Sequence, residues 1–312
     1  MPDILWPIKW LIELILTSFH TVFTFLGLNS SWGVTWVLSI VCLVLVVRVA
    51  LIPIFVKQIK GQRNMMLVQP ELAKLQKKYK GKTDRESREK FAQEQMALYK
   101  RTGSNPLSSC LPMLLQMPIF FSLFSVLQTA SKGQKGVAFM GVDLANSFEE
   151  STFLGAPLKH SLSTAEGNIS VWVLGITMIV LMTASQFITQ KQIMAKNQNT
   201  ATMTSQYMQT QKIMLYAFPL IFAVSGIAFP LGLMFYWLTS NFWTMGQQYF
   251  VIRRMPTPGS QAFQERQTRL AKKGKLVEVI EELESEAETI DIVRENSQRA
   301  QPVSKKRNKK RK

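Results

Sequence analysis

Apolar residues in this chain gather into long runs separated by charged blocks, and five of the runs are candidates to cross a bilayer. They cover about residues 32–56, 107–127, 169–188, 213–228 and 231–252. The first contains a single charge, Arg48. The second contains Pro112 and Pro118, which helices in lipid tolerate when neighbours satisfy the freed carbonyls. The fourth is short: its helix reaches only about 24 Å against a hydrocarbon core of roughly 30 Å, which predicts local thinning or a hairpin that does not cross fully.

Residues 4–28 follow another pattern. Lys9, Glu13, Thr17, Thr21 and Thr24 recur every three or four positions, so they share one helical face. This predicts an N-terminal unit, residues 1–30, built on an amphipathic helix lying in the membrane interface. A first span or an uncleaved signal anchor is the alternative. A cleaved secretory signal is disfavoured, because a basic leading region and an A-x-A-like site are both missing.

Residues 57–106 read as a charged helical hairpin. Leu67, Leu72, Leu75 and Tyr79 precede the Gly81-Lys82-Thr83-Asp84 turn, and Phe91, Met96, Leu98 and Tyr99 follow it. Asp84 is placed to cap the second helix. Residues 31–255 therefore form a five-span core with this hairpin inserted. Residues 256–312 form a basic tail that opens Pro-Thr-Pro-Gly-Ser and cannot build a core, so most of it is expected to be disordered. The architecture expected is an all-α membrane protein.

Charge then orients the chain. Loop 57–106 carries thirteen Lys and Arg against five acids, 129–168 three against four, 189–212 three against none, and 253–312 sixteen against nine. Basic loops face the cytoplasm. That assigns 57–106, 189–212 and the C-terminus inside, and 129–168 outside. The net charge of +17, with only 18% charged residues, points to nucleic acid, an anionic membrane surface, or both.

Arg48 is the first candidate for chemistry. It lies about 13 Å along a helix from Lys57, farther than its side chain extends. A lone charge at that depth costs at least about 2.5 kcal/mol, and the five runs hold no Asp or Glu to pair with it. It must face water, polar groups or a passing anionic partner; a partly snorkelling arginine in a thinned bilayer is the plainer reading. Gln116, Gln186, Thr239 and Asn241 are the polar residues that would share a cavity with it, although each alone reads more simply as an interhelical hydrogen bond. Trp237 and Trp243 have the ordinary positions of interface anchors. The sixteen methionines suit an adaptable apolar surface and equally suit gap-filling in a core. Cys42 and Cys110 lie in apolar runs, and His20 and His160 lack partners at ligand spacing. HExxH, GxSxG, Walker and GxGxxG motifs are missing, so neither an enzyme nor a metal or cofactor site is expected.

Three segments together resemble one family. Residues 46–54 (VVRVALIPI), 105–121 (NPLSSCLPMLLQMPIFF) and 229–250 (FPLGLMFYWLTSNFWTMGQQYF) are similar, in order, to the first, second and last core spans of YidC/Oxa/Alb-type membrane protein insertases. The resemblance covers roughly residues 30–255 and is to the short Gram-positive, actinobacterial type, without a large folded extracytoplasmic domain. It implies a multi-pass protein of the bacterial plasma membrane that inserts and helps fold nascent membrane proteins, alone or with the Sec translocon. The implied mechanism is a hydrophilic groove in which Arg48 attracts acidic or polar parts of the substrate, with Gln116, Trp237 and, less closely matched, Gln186 at family motif positions. No small-molecule substrate or cofactor is implied. The terminal Lys305, Lys306, Arg307, Lys309, Lys310, Arg311 and Lys312 would dock ribosomes through phosphate contacts, rest on anionic lipids, or only enforce topology.

A competing reading makes Arg48 the substrate site of a small anionic-solute transporter. Such folds carry internal repeats and discontinuous helices, and five spans divide poorly into repeats. An intramembrane protease is weaker still, because the five runs contain no Asp, Glu or His.

Overall fold

The computed structural model describes residues 4–101, 111–197, 205–257 and 259–274. Cys110 and the basic cluster at 305–312 lie outside these. Among the described residues the regular structure is helical except for one pair of two-residue strands. Helix α1 spans Trp6–Phe25, α2 Gly33–Ala50, α3 Ile52–Tyr79, α4 Arg85–Arg101 and α5 Leu111–Ala130. After α6 (Val142–Glu150), strand β1 (Thr152–Phe153) pairs antiparallel with β2 (Ala156–Pro157). Helices α7 (Ile169–Lys196), α8 (Ser205–Gly226), α9 (Leu231–Arg254) and α10 (Gln261–Ala271) follow.

By length and composition α1, α2 and α7 are apolar enough to cross a membrane, and Leu114–Ala130 is a shorter apolar helix. Helices α8 and α9 carry more polar residues, several of which line internal cavities. Trp36, Ile40, Leu123, Met178, Met182, Leu231 and Leu233 form the centre of the packed core. Helices in lipid gain little from burying apolar surface against one another, so close packing and polar contacts must hold the bundle.

Those polar contacts concentrate at one end, around the 131–168 segment. Glu13 is fully buried, and its carboxylate accepts hydrogen bonds from the backbone N–H groups of Val137, Ala138, Phe139 and Met140 at 2.7–3.3 Å. A Cβ at position 136 would overlap that carboxylate, so the turn needs Gly136. The same segment caps α9: Leu231 and Gly232 donate their N–H groups to the carbonyls of His160 and Leu158. It also meets the start of α2, where Trp32 bridges to Thr152 and Gly33 lies against the Thr152 backbone.

The helices differ from the sequence pattern in two respects. The break between the first run and the hairpin falls at Leu51, not near Lys57, because Pro53 lacks the N–H that would continue the ladder. Helix α3 then runs unbroken into the hairpin, with Pro70 inside it. The fourth run, short when judged by hydropathy, belongs to a helix of 22 residues, about 33 Å long, whose first turns are polar. In the hairpin Gly81 adopts φ +84°, and Asp84 accepts from the Ser87 N–H at 2.8 Å, so it caps α4 as its position predicts.

Candidate substrate groove

Arg48 lies in the last turn of α2, just before the break at Leu51. Its guanidinium donates to Oγ of Ser240 on α9 and sits 5.6 Å from the centre of the Phe55 ring. Tyr236, one turn before Ser240 on the same face of α9, accepts a hydrogen bond from Nε2 of Gln116 on α5. Arginine and glutamine are thus each tied to α9 by a hydroxyl, which fixes α2 and α5 against it.

These side chains border a cavity of about 480 Å³. Arg48, Gln58, Gln116, Ser225, Thr244, Gln247 and Gln248 supply its polar lining, and Arg48 is the one charged residue among them. The rest is apolar and mostly aromatic: Phe55, Phe120, Phe218, Phe222, Phe229 and Trp237. Trp237 stacks on Phe120 with ring centres 4.9 Å apart, and Phe222 and Phe229 meet it edge-on at 5.4 and 4.7 Å. Both amide atoms of Gln58 are buried without a hydrogen-bond partner among the described residues. Such atoms cost free energy until something pairs with them.

The six residues singled out by sequence fall into three groups. Arg48, Gln116 and Trp237 line this cavity together. Gln186 and Asn241 line an adjoining pocket of about 230 Å³ between α7, α8 and α9, which shares Phe218 and Thr244 with the first. Oε1 of Gln186 and Nδ2 of Asn241 are buried and unpaired there among the described residues. Thr239 lines neither; its hydroxyl donates to the carbonyl of Phe235 in its own helix. Trp237 packs at the centre of an aromatic cluster, and Trp243 donates from Nε1 to Oε1 of Gln247.

Sequence reasoning missed Tyr236, Ser240 and Gln58. A signal for the first two was present. Tyr236, Ser240, Thr244 and Gln247 recur at spacings of four and three, forming one polar stripe on α9. Thr239 and Asn241 are more conspicuous by type but stand to either side of that stripe.

The arrangement is a concave, largely apolar chamber with one fixed positive charge and a set of amides that can donate and accept. It suits an extended, polar or acidic segment of chain.

Comparison with known proteins points to the same family. A family model described as 60Kd inner membrane protein matches residues 27–258. A Streptomyces avermitilis protein named membrane protein insertase YidC is 45% identical over 82% of this chain, though the match spans only 59% of that longer protein. A protein of the same name from Tropheryma whipplei (strain Twist) is 41% identical over the whole of this chain and 97% of its own length. Another, from Mycobacterium tuberculosis (strain CDC 1551 / Oshkosh), is 30% identical over 80% of this chain and 71% of its own.

Proposed function

The chain belongs to the 60Kd inner membrane protein family, the YidC/Oxa-type insertases, and from that premise we propose that it inserts nascent membrane proteins through the Arg48 cavity. The observation that carries the reading is the placement of Arg48 itself. Its guanidinium is held by a neutral hydroxyl and an aromatic face, and among the described residues no acid pairs with it. A substrate carboxylate about 4 Å away would gain roughly 4 kcal/mol at an effective dielectric of 20, enough to offset the cost of drawing it partway into the bilayer. Gln58 and Gln116 would pair with substrate backbone, lowering the cost of desolvating it. The substrate's apolar segment then leaves sideways into lipid, and no covalent step or nucleotide is needed.

In this reading loop 57–106, loop 189–212 and the C-terminus are cytoplasmic, and loop 129–168 is extracytoplasmic. Helix α1 lies along the outer interface. Two contacts ten residues apart support that placement: Trp10 meets Phe139, and His20 bonds the Ser30 carbonyl and lies tilted against Trp36. Those positions are about 15 Å apart along the helix, yet both sets of partners lie at the same end of the bundle. The hairpin receives substrate, ribosome and Sec translocon are the expected partners, and the basic tail serves ribosome docking.

The test is insertion of several substrates, differing in the charge of the translocated segment, in cells depleted of the native insertase and supplied with wild type or Arg48→Ala. Acidic and polar segments should lose insertion most. Undiminished insertion of every substrate removes Arg48 from the mechanism. Saturable flux of a small anion in proteoliposomes, without insertion, would instead favour the transporter reading.

A further inference from the structure

At the opposite end of the bundle from the 131–168 segment, α7, α9 and α10 enclose a basic pocket of about 270 Å³ lined by Gln192, Lys196, Tyr249, Arg253, Glu265 and Arg269, among others. Lys196 is the last residue of α7, Arg253 lies in the last turn of α9, and Arg269 is in the last turn of α10. Three cations therefore face one space against one acid, Glu265, which also accepts from Nε2 of Gln261 at 3.0 Å.

Two of the cations are pre-positioned. Arg253 donates to the Tyr249 hydroxyl at 2.9 Å, and Arg269 donates to the Arg253 carbonyl at 3.1 Å. Helix α10 is itself fixed: Ala262 and Phe263 are buried, and Ser260 caps its start. The connection leading to it is anchored where the Thr257 N–H donates to Oδ1 of Asn197 at 2.8 Å. Compensation of helix ends accounts for one cation at each terminus but not for their convergence on a cavity.

The two helices that carry Lys196 and Arg253 continue from the pocket as apolar faces. On α7, Leu181 and Ile188 are exposed in line with Gln192 and Lys196. On α9, Phe242 and Tyr249 are exposed in line with Arg253, and Gly246 between them has open space where a side chain would be. A cationic pocket joined end-on to an open apolar strip matches an amphiphile with an anionic head.

We propose that this pocket binds the phosphate headgroup of an anionic phospholipid, with an acyl chain along the Ile188–Gly246 seam. Nucleic acid shares the phosphate chemistry but makes no use of the apolar strip. The site stands apart from the Arg48 cavity, so neither proposal depends on the other.

The probe is phosphatidylglycerol offered against phosphatidylcholine to the full-length protein in detergent, with bound lipid counted by native mass spectrometry. Inorganic phosphate is tested in parallel as a competitor. Wild type should retain phosphatidylglycerol selectively. Lys196→Gln and Arg253→Gln should each weaken retention by about fivefold, the effect of one cation near an anionic surface. Arg253→Lys should keep most of it, and Lys272→Gln, an exposed charge outside the pocket, should match wild type. Lys196 is exposed, so Lys196→Gln remains informative even if an arginine variant misfolds. Equal retention of the two lipids, or retention unchanged in Lys196→Gln and Arg253→Gln, overturns the proposal. Tight binding of inorganic phosphate without preference for phosphatidylglycerol overturns the lipid assignment.

Discussion

Arg48 and Ser240 are 192 residues apart in sequence, and the guanidinium of the first donates a hydrogen bond to the hydroxyl of the second. A neutral partner holds the cation in place and leaves its charge uncompensated. Removing Ser240 should therefore matter far less than removing Arg48. Ser240→Ala is expected to keep more insertion than Arg48→Ala, because it removes one hydrogen bond to the cation but leaves the charge itself in the cavity. Arg48→Lys should fall between Ser240→Ala and Arg48→Ala, since lysine keeps the charge but loses the planar fork. Protease protection of an acidic substrate checks the order; a Ser240→Ala defect as deep as that of Arg48→Ala would contradict it.

Glu13 secures α1 to the segment after α5. Glu13→Ala strands four backbone N–H groups, at about 1–3 kcal/mol for each that finds no water. The expected result is a large fall in the unfolding temperature of the detergent-solubilised protein. Glu13→Gln keeps one acceptor oxygen and should fall less. Gly136→Ala should resemble Glu13→Ala, because its methyl group takes the carboxylate's place.

The hairpin should respond to acid. The Ser87 backbone and side chain hold the Asp84 carboxyl below its ordinary range, and Lys78 with Tyr79 does the same for Glu94. A carboxyl depressed in the folded state contributes stability that is fully present above its unfolded pKa and is lost as pH falls through the folded one. The start of α4 should therefore hold at neutral pH and fray progressively below about pH 4, where carboxylates protonate. NMR of the Ser87 amide across pH 7 to 3 reports this directly. Asp84→Ala should show the frayed state already at pH 7 and lose the acid transition at that amide.

Trp237 is the hub of the aromatic wall. Trp237→Ala removes the stack on Phe120 and the edge contacts with Phe222 and Phe229, and a large-to-small change of this kind costs about 3–5 kcal/mol. Trp237→Phe should recover most of that. Chemical-denaturant unfolding in mild detergent measures the difference, and insertion should follow it.

The tail carries a separate expectation. Deleting residues 305–312 removes seven cations and should weaken ribosome co-sedimentation most at low salt. Unchanged co-sedimentation would return the tail to lipid contact or topology.

Much of this was legible along the chain. Segregated apolar runs marked a membrane protein, the absence of acids in those runs isolated Arg48, and three motifs in order carried the family. The Gly81 turn and the Asp84 cap were readable because turn and cap chemistry is local. Other features were not. The polar stripe of residues 4–28 reads as a water-facing surface, yet Glu13 and Thr17 are buried, because backbone donors more than 120 positions away meet the carboxylate. Residue type favoured Thr239 and Asn241 over Ser240, although only Ser240 meets the guanidinium.

The sequence by itself determined the solvent this chain is built for, the helices it forms and the position of the one charge within its apolar runs, since each depends on neighbours within a few turns. Tertiary structure alone decided which hydroxyl holds Arg48, that Gln186 and Asn241 fall into a side pocket, and that α1 turns its carboxylate inward. The physical reason is that periodicity specifies a face of a helix, whereas what that face meets is set by packing between segments the chain brings together from afar.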